Sequence, residues 1–377
     1  MRWIYLDYNA TTPLAPAAQE AMLPYLADRY AHPHADHTPG RVVAEALDDA
    51  RSRVAGAIGA HADELRWTSG GTEASRNALR GVIEPALRRG ETPHLIVSAV
   101  EPPAVLGTAR FLASLGAELT VVPVSAEGIV SVDAVLAALR ADTRLVSVCV
   151  ANDEVGSCQP VAEIAAACHD EGVLIHTDAS LALGKLPLDV GSLGVDMLTL
   201  SAHKAYGPKG VGALYVRAGA PIEPELLDAA EPSLGMPNVP GVVGFGAAAA
   251  IASAAVDEAA TQMRVLRGDL AERLQSGCPD VTIYSGPADA RLCNTLCVAL
   301  PNVTASDLLA AAPEITAQAM ATGDPAAISL SPTLDAIGAD PAEAAGAVRL
   351  SLGWYTDAEE VARAADALLA AWDQCQG

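Results

Sequence analysis

The sequence predicts an α/β fold in which helices cover both faces of a mostly parallel sheet. Hydrophobic residues make up 51% of the 377 residues, which provides a substantial core. Short apolar runs alternate with helical patterns, and this alternation is typical of parallel strands joined by helices. The predicted strands are 65–68, 94–100, 118–124, 145–151, 173–177, 197–200 and 212–216, and the predicted helices are a glycine-initiated one within 69–82, 132–140 and 161–171.

The later part of the chain predicts a second, smaller unit. Residues 218–240 are rich in Pro, Glu and Gly and predict loops, and an Ala-rich helix follows them. Mixed strands and helices are predicted from about 281 to the end. We therefore expect a domain change near residue 255.

Composition and charge restrict the partners and the compartment. The chain has 23 Lys and Arg against 46 Asp and Glu, a formal charge of −23, which disfavours nucleic acid and anionic membrane surfaces. Its seven scattered cysteines suit a reducing compartment better than a disulfide scaffold. The N-terminus does not resemble a signal peptide, and the apolar run 242–256 is too short to span a bilayer. We expect a soluble, cytoplasmic protein.

Three motifs at predicted strand ends carry the chemistry. Lys204 lies in SAHKAYGPKG, where desolvation in a Gly/Pro-rich turn would favour a Schiff-base amine. Taken alone, it is more simply interpreted as an ordinary loop lysine. Gly71 and Thr72 begin a helix after a glycine turn, a geometry that binds anions, although it is also compatible with a simple N-cap.

The third motif is Asp178, at the carboxyl end of a predicted strand, where open α/β sheets bind ligands. A carboxylate there can keep a pyridinium nitrogen protonated, but it can equally cap a helix. A phosphate cradle, a pyridinium acid and a Schiff-base lysine, in that order, together predict a site for pyridoxal 5′-phosphate (PLP).

These motifs resemble those of the cysteine desulfurases, within the class V aminotransferase group of fold type I PLP-dependent enzymes. The matching segments, which span most of the chain, are YLDYNATTP at 5–13, TSGGTE at 68–73, ANDEVG at 151–156, HTDAS at 176–180, SAHKAYGPKG at 201–210 and VRLSLG at 348–353. The resemblance implies a large domain with a mostly parallel seven-stranded sheet at 16–254. It also implies a smaller α+β domain, formed by 1–15 and 255–377, and a homodimer.

The resemblance assigns roles to individual residues. Lys204 would be the catalytic lysine that holds the cofactor, and Asp178 would pair with the pyridine nitrogen. Asp153 would lie beside the phenolic oxygen. Arg349 would bind the substrate α-carboxylate with its bidentate fork, and Asn9 would also contact the substrate. The phosphate would be held by Gly71, Thr72, Ser201 and His203.

The sequence also departs from the family. Desulfurases need a mobile cysteine in the loop before the final helices, but residues 315–325 contain none, and no cysteine occurs between Cys297 and Cys375. Residues at other family positions also differ. The family's ring-stacking histidine is replaced by Pro102, its asparagine by Asp153, its glutamine by Leu181 and its partner-chain threonine by Met236, and the loop 32–37 replaces a stretch that normally carries Asn and Ser.

The sequence therefore predicts a PLP-dependent C–S lyase that acts on cysteine or a cysteine S-conjugate by β-elimination. Lys204 would remove the α-proton, at a pKa lowered by burial and by the cationic ring. Leu181, Pro102 and Met236 favour a bulkier, less polar conjugate, and the lyase is expected to act in a specialised biosynthetic pathway.

Three alternatives stay open. The same site can support decarboxylation with oxidative aldehyde formation, transamination or epimerisation. The protein can be a desulfurase that uses another cysteine, or a non-catalytic scaffold.

His32, His34 and His37 are interpreted as loop residues and not as metal ligands, and Cys158 as a structural residue. Tyr206 and Trp354 are possible pocket-lining residues.

Overall fold

The computed structural model describes residues 3–222, 235–323 and 328–376. The helices are α1 (Pro16–Leu26), α2 (Thr38–Gly56), α3 (Gly71–Arg88), α4 (Pro103–Ser114), α5 (Val132–Ala138), α6 (Val161–Asp170), α7 (Val190–Leu193), α8 (Val239–Ala254), α9 (Val256–Gly277), α10 (Ala305–Ala311), α11 (Pro332–Ala336) and α12 (Ala358–Gln376). The strands are β1 (Ile4–Tyr5), β2 (Leu65–Thr68), β3 (His94–Ser98), β4 (Glu118–Val122), β5 (Thr143–Ser147), β6 (Leu174–Asp178), β7 (Met197–Ser201), β8 (Gly212–Val216), β9 (Thr282–Tyr284), β10 (Thr295–Ala299), β11 (Ile315–Thr316), β12 (Gln318–Ala319), β13 (Ala321–Thr322), β14 (Ser329–Leu330) and β15 (Ala347–Ser351).

Seven strands form the central sheet, in the order β2-β8-β7-β6-β5-β3-β4. Strands β4, β3, β5, β6 and β7 pair in parallel, whereas β8 runs antiparallel to both β7 and β2. This sheet confirms the predicted α/β class, and each predicted strand overlaps one of its seven strands. The parallel strands share one carboxyl edge, where β6 and β7 end in Asp178 and Ser201.

Both faces of the sheet are covered by helices, as the alternation predicts. Strand β3 shows the reason: Ile96 packs into one core, while Leu95 and Val97 pack into the core on the opposite face. Helices α2, α6 and α8 complete the first core, and α3 and α4 complete the second. Strands buried on both faces read as continuous apolar runs, which is why the sequence located them well.

The Ala-rich segment forms α8, which is mostly buried and packs against α1 and α2. Small side chains allow this close packing, since a Cβ at Gly246 would lie 2.7 Å from the Ala50 Cα. Within the described ranges, no single helix is both long and apolar enough to span a bilayer. Helices α8 and α9, bent by 70° at their junction, pass that length and composition test only when taken together.

A separate core lies around the antiparallel sheet β12-β15-β10-β9. It joins Leu270 of α9, Val298 of β10 and Leu368 of α12, together with Ile4 and Leu6 from the N-terminal segment. The division at residues 15 and 255 remains a proposal, and this second core supports it. Part of the loop predicted at 218–240 lies outside the described residues.

Candidate active site

A cavity of about 280 Å³ opens at the carboxyl edge of the central sheet. Its volume is near the lower end of small-molecule pockets. The lining residues come from the starts of α3 and α4, the ends of β6 and β7, and the turns that follow β5, β6 and β7: Gly71, Thr72, Pro102, Pro103, Ala104, Ala151, Asp153, Asp178, Ser180, Leu181, Ser201, His203 and Lys204. Seven of the nine predicted site residues therefore line one cavity.

Lys204 ends the 3₁₀ turn 202–204 that follows β7. Its backbone carbonyl accepts a hydrogen bond from Lys185 Nζ at 3.1 Å. Lys185 is almost completely buried, and burial lowers the pKa of its amine to about 8. Two lysines thus meet at this turn: Lys204 lines the cavity, and Lys185 holds the turn from the protein interior.

The neighbouring His203 is a neutral imidazole at physiological pH. Burial, together with the positive charges of Lys204 and Lys209, lowers the pKa of His203 to about 4. Its Nδ1 lies 3.1 Å from the Thr11 hydroxyl, and its carbonyl accepts hydrogen bonds from Thr12. A neutral ring suits a hydrogen-bonding position beside an anion better than an acid–base role.

The start of α3 forms a cradle for an anion. Its first N–H groups have no partner within the helix and carry the positive end of the helix dipole. A glycine is required at position 71 because the backbone there lies close to Ser180: a Cβ would be 2.7 Å from the Ser180 hydroxyl oxygen. Ser201 and Thr72 add hydroxyl groups to the same part of the cavity.

Asp178 lines the same cavity and is held by two hydrogen bonds. The Ser180 N–H donates to Oδ1 at 2.9 Å, and the Ser75 hydroxyl donates to Oδ2 at 3.0 Å. The carboxyl group is 7% exposed, so its orientation is fixed by these donors. It presents a fixed negative charge to any group in the cavity.

A buried polar chain behind Asp178 was not predicted from the sequence. The Ser75 oxygen also lies 3.1 Å from Thr199 Oγ1, from which it can accept a hydrogen bond, and Thr199 Oγ1 lies 3.0 Å from His176 Nε2. His176 contacts Ser147 through Nδ1 at 2.8 Å, and burial lowers its pKa to about 3, so it is neutral. The signal that could have identified Ser75 is its position three residues after Thr72, on the same helix face.

Arg349 is not among the residues that line the cavity, and two carboxylates occupy its fork. Nη1 lies 2.9 Å from Asp153 Oδ2, and Nη2 lies 2.7 Å from Asp7 Oδ1. Asp153 is on the cavity side of this cluster. The role of Asp7 was not predicted, although it stands beside Asn9 in the first matching segment.

Asn9 is fully buried and also does not line the cavity. Its amide donates to the Asp153 carbonyl at 3.0 Å and to Thr295 Oγ1 at 2.8 Å. In this arrangement Asn9 positions the Asp153 backbone. Its predicted contact with substrate stays a prediction.

Among the described residues that line the cavity there is no cysteine. Cys149 lies two residues before Ala151, Cys158 lies two residues after the ANDEVG turn, and burial raises the pKa of the Cys158 thiol to about 12. Burial also raises the pKa of Cys149 and Cys293, both of which are buried. Thiols with raised pKa values are poor nucleophiles, because the thiolate is the reactive form.

The residues that depart from the family pattern take different positions. Pro102 and Leu181 line the cavity and give it apolar walls. Met236 lies outside it with 53% of its surface exposed. Tyr206, two residues after Lys204, stacks on Trp354 with ring centroids 3.7 Å apart.

The three loop histidines have local roles. His37 Nδ1 accepts the Gly40 N–H at 3.0 Å and so caps α2, and His32 Nδ1 accepts the His34 N–H at 3.2 Å. Across the described part of the chain, no group of three or more His, Cys, Asp or Glu side chains is arranged to hold a metal ion.

Comparisons with known proteins place the chain among class-V aminotransferases and near cysteine desulfurases. The family model described as aminotransferase class-V matches residues 4–364. The cysteine desulfurase IscS of Dictyoglomus turgidum is 38% identical over 373 residues, covering 97% of this chain and 94% of that protein.

Solved structures agree in fold. A NifS-like protein superposes with a TM-score of 0.89 at 33% identity, covering 99% of this chain and 100% of that one. SspA in complex with cysteine gives a TM-score of 0.78 at 30% identity, covering 94% of this chain and 99% of that one.

Proposed function

The chain belongs to the class-V aminotransferase family, and from this premise we propose that it is a lyase that cleaves the C–S bond of cysteine or a cysteine S-conjugate by β-elimination. Its relatives are cysteine desulfurases, and the protein is a PLP-dependent enzyme. The reaction, the substrate and the roles of individual residues are the proposal.

The residues at the cavity fit PLP. The anion cradle at the start of α3, whose close approach excludes a Cβ at Gly71, would hold the phosphate together with Ser201 and His203. Asp178 would pair with the pyridine nitrogen, and Lys204 would hold the aldehyde carbon. When bound, PLP supplies an electron sink for the charge left at the substrate Cα.

The protein's own groups then move a proton and direct the leaving group. Once the substrate amine has replaced Lys204 at the aldehyde carbon, the freed Lys204 amine would take the proton from the substrate Cα, and the electron pair of that C–H bond would become the new Cα–Cβ double bond. The Cβ–S bond breaks, and sulfur leaves with its electron pair as a thiolate or, from a disulfide substrate, a persulfide. The remaining aminoacrylate hydrolyses to pyruvate and ammonia.

The single observation that carries elimination over sulfur transfer is the missing thiol. Residues 315–325 contain no cysteine, and no cysteine lines the described part of the cavity. Because no thiol is found among the described residues that line the cavity, no nucleophile there is placed to attack the substrate sulfur, and this supports elimination. The apolar walls formed by Pro102 and Leu181 support an S-conjugate, and with it a specialised pathway, over free cysteine.

The product assay tests this proposal directly. The holoenzyme is incubated separately with cysteine, S-methylcysteine and S-benzylcysteine, and pyruvate, alanine, aldehyde and free thiol are quantified. We expect pyruvate and thiol in equal amounts, with the larger conjugate preferred. Alanine with protein-bound persulfide would indicate a desulfurase, aldehyde would indicate decarboxylation, and no turnover with PLP bound would leave the scaffold alternative.

Replacing Cys158 by serine should leave C–S cleavage within about twofold of the wild-type rate, because a thiol with a pKa near 12 is almost entirely protonated at neutral pH. The steady-state formation of pyruvate plus alanine is the measurement, and Cys375→Ser, on the last helix, is the matched control. A large loss in the Cys158 variant alone would instead make that thiol the sulfur acceptor.

The homodimer and the cytoplasmic location stay part of the proposal. The resemblance of the motifs supports a dimer, and Met236, at the position of the family's partner-chain threonine, is exposed. Sedimentation of the holoenzyme would measure the oligomeric state.

A further inference from the structure

The side chain that should receive a substrate carboxylate already holds two carboxylates. Arg349 is 6% exposed, and its two terminal nitrogens bind Asp7 and Asp153 at 2.7 and 2.9 Å. Nη1 is also 3.4 Å from the Asp153 carbonyl oxygen. The fork that binds a carboxylate in a bidentate manner is therefore closed by this chain's own residues.

The charges at this point oppose a further anion. One guanidinium and two carboxylates sum to −1, so a substrate carboxylate that approaches from the cavity meets Asp153 before it meets Arg349. Arg349 Nε is buried and has no hydrogen-bond partner among the described residues, so it remains available as a donor. A buried donor without a partner carries a desolvation cost that a new acceptor would relieve.

The two aspartates are not equivalent. Asp153 lines the cavity and its side chain is 31% exposed, so it has room to rotate away from Arg349. Asp7 is 17% exposed, contacts the other nitrogen and is not a cavity residue. Asn9 fixes the Asp153 backbone at 3.0 Å, so only the side chain needs to move.

We propose that Asp153 is a specificity-determining residue whose carboxylate competes with the substrate's α-carboxylate for Arg349. This inference rests on the proposed function, because it takes Arg349 as the residue that binds an amino acid. A substrate carboxylate must displace Asp153, so small amino acids bind weakly. Substrates with a large S-substituent recover affinity from the apolar walls at Leu181 and Pro102.

Binding of an amino acid and its amide to the holoenzyme tests the proposal without turnover. L-Alanine and L-alaninamide differ at the carboxyl group, and neither carries a leaving group on Cβ. Titration followed by the cofactor absorbance and by calorimetry gives both Kd values, at about pH 8.5. There Glu154, whose pKa burial raises to about 7, is ionised.

In the Asp153→Asn enzyme we expect alanine to bind tighter by about tenfold or more, the size of one charge-assisted hydrogen bond. The Kd of alaninamide should change by less than about twofold, since it has no carboxylate for Asp153 to repel. Glu154→Gln is the matched control: it removes a carboxylate from the next residue, which accepts a hydrogen bond from the Ser331 hydroxyl and interacts with Arg349 only through its charge, so the ratio of the two Kd values should change much less than in Asp153→Asn.

The proposal is overturned if Asp153→Asn binds alanine no more tightly than the wild type, or if Glu154→Gln changes the ratio equally. Should Asp153→Asn fail to fold, Asp153→Ser tests the same contact. A shifted ratio in an enzyme that forms no pyruvate would refute the proposed elimination and leave the role of Asp153 standing.

Discussion

Replacing Lys204 by alanine should lower the rate of C–S cleavage by ~10²- to 10⁴-fold, the usual contribution of a positioned general base. The same change should abolish the visible absorbance of a lysine-bound cofactor, because Lys204 is the lysine that lines the cavity. The cofactor itself should remain bound, since the cradle at Gly71 and the Asp178 carboxylate are untouched. Absorbance spectra and total PLP content measure the two effects separately.

The structure offers a matched control for this variant. Lys209 lies five positions further along the same loop and is exposed, so Lys209→Ala makes the same change in charge without reaching the cavity. The competing explanation is Lys185, whose amine contacts the Lys204 carbonyl and has a pKa lowered to about 8 by burial. A lysine-bound absorbance that persists in Lys204→Ala but disappears when Lys185→Met is added would transfer the role to Lys185.

The positions of the cavity residues could be predicted because each motif lies at the end of a buried strand. Strands such as 197–201 are buried on both faces and mostly apolar, so their ends are clear in the sequence. Parallel strands bring their carboxyl ends to the same edge of the sheet. Asp178 and Ser201 end neighbouring strands, and Lys204 follows directly. Their meeting follows from the parallel topology, whereas the phosphate-binding roles of Ser201 and His203 were implied by the resemblance to the desulfurases.

The pairing of Arg349 could not be predicted in the same way. Arg349 lies on β15 in the antiparallel sheet, while Asp7 and Asp153 come from segments more than 190 residues away in sequence. Local sequence patterns do not indicate that three such distant segments come together. The sequence shows that residue 349 carries a positive charge, but only the structure shows which carboxylates it pairs with.

The support for Asp178 was missed for a related reason. Ser75 and Thr199 read as ordinary polar residues in a helix and a strand, because hydroxyl groups are common in both. Their role depends on α3 packing over β7, which brings Ser75 Oγ within 3.1 Å of Thr199 Oγ1. Buried polar groups need partners, and here the partners lie on different elements.

Replacing Asp178 by asparagine should lower the rate of C–S cleavage by ~10²- to 10³-fold, comparable to the loss of one preorganised electrostatic group. Asparagine has nearly the same shape, so Oδ1 can still accept the Ser180 N–H. The Ser75 hydroxyl can reverse its role and accept from the new amide. The variant should therefore fold and bind PLP while losing the negative charge that keeps the pyridine nitrogen protonated.

Two comparisons separate this charge effect from a loss of structure. Ser75→Ala keeps the Asp178 carboxylate but removes one of its two donors, so we expect a smaller loss, of about tenfold, from its orientation alone. Thermal melting and PLP content should match the wild type in both variants, and 15N-labelled PLP would report the protonation of the ring nitrogen. If Asp178→Asn retains both a protonated ring and full activity, the carboxylate is a structural cap at the end of β6, and another group must stabilise the charge at the substrate Cα.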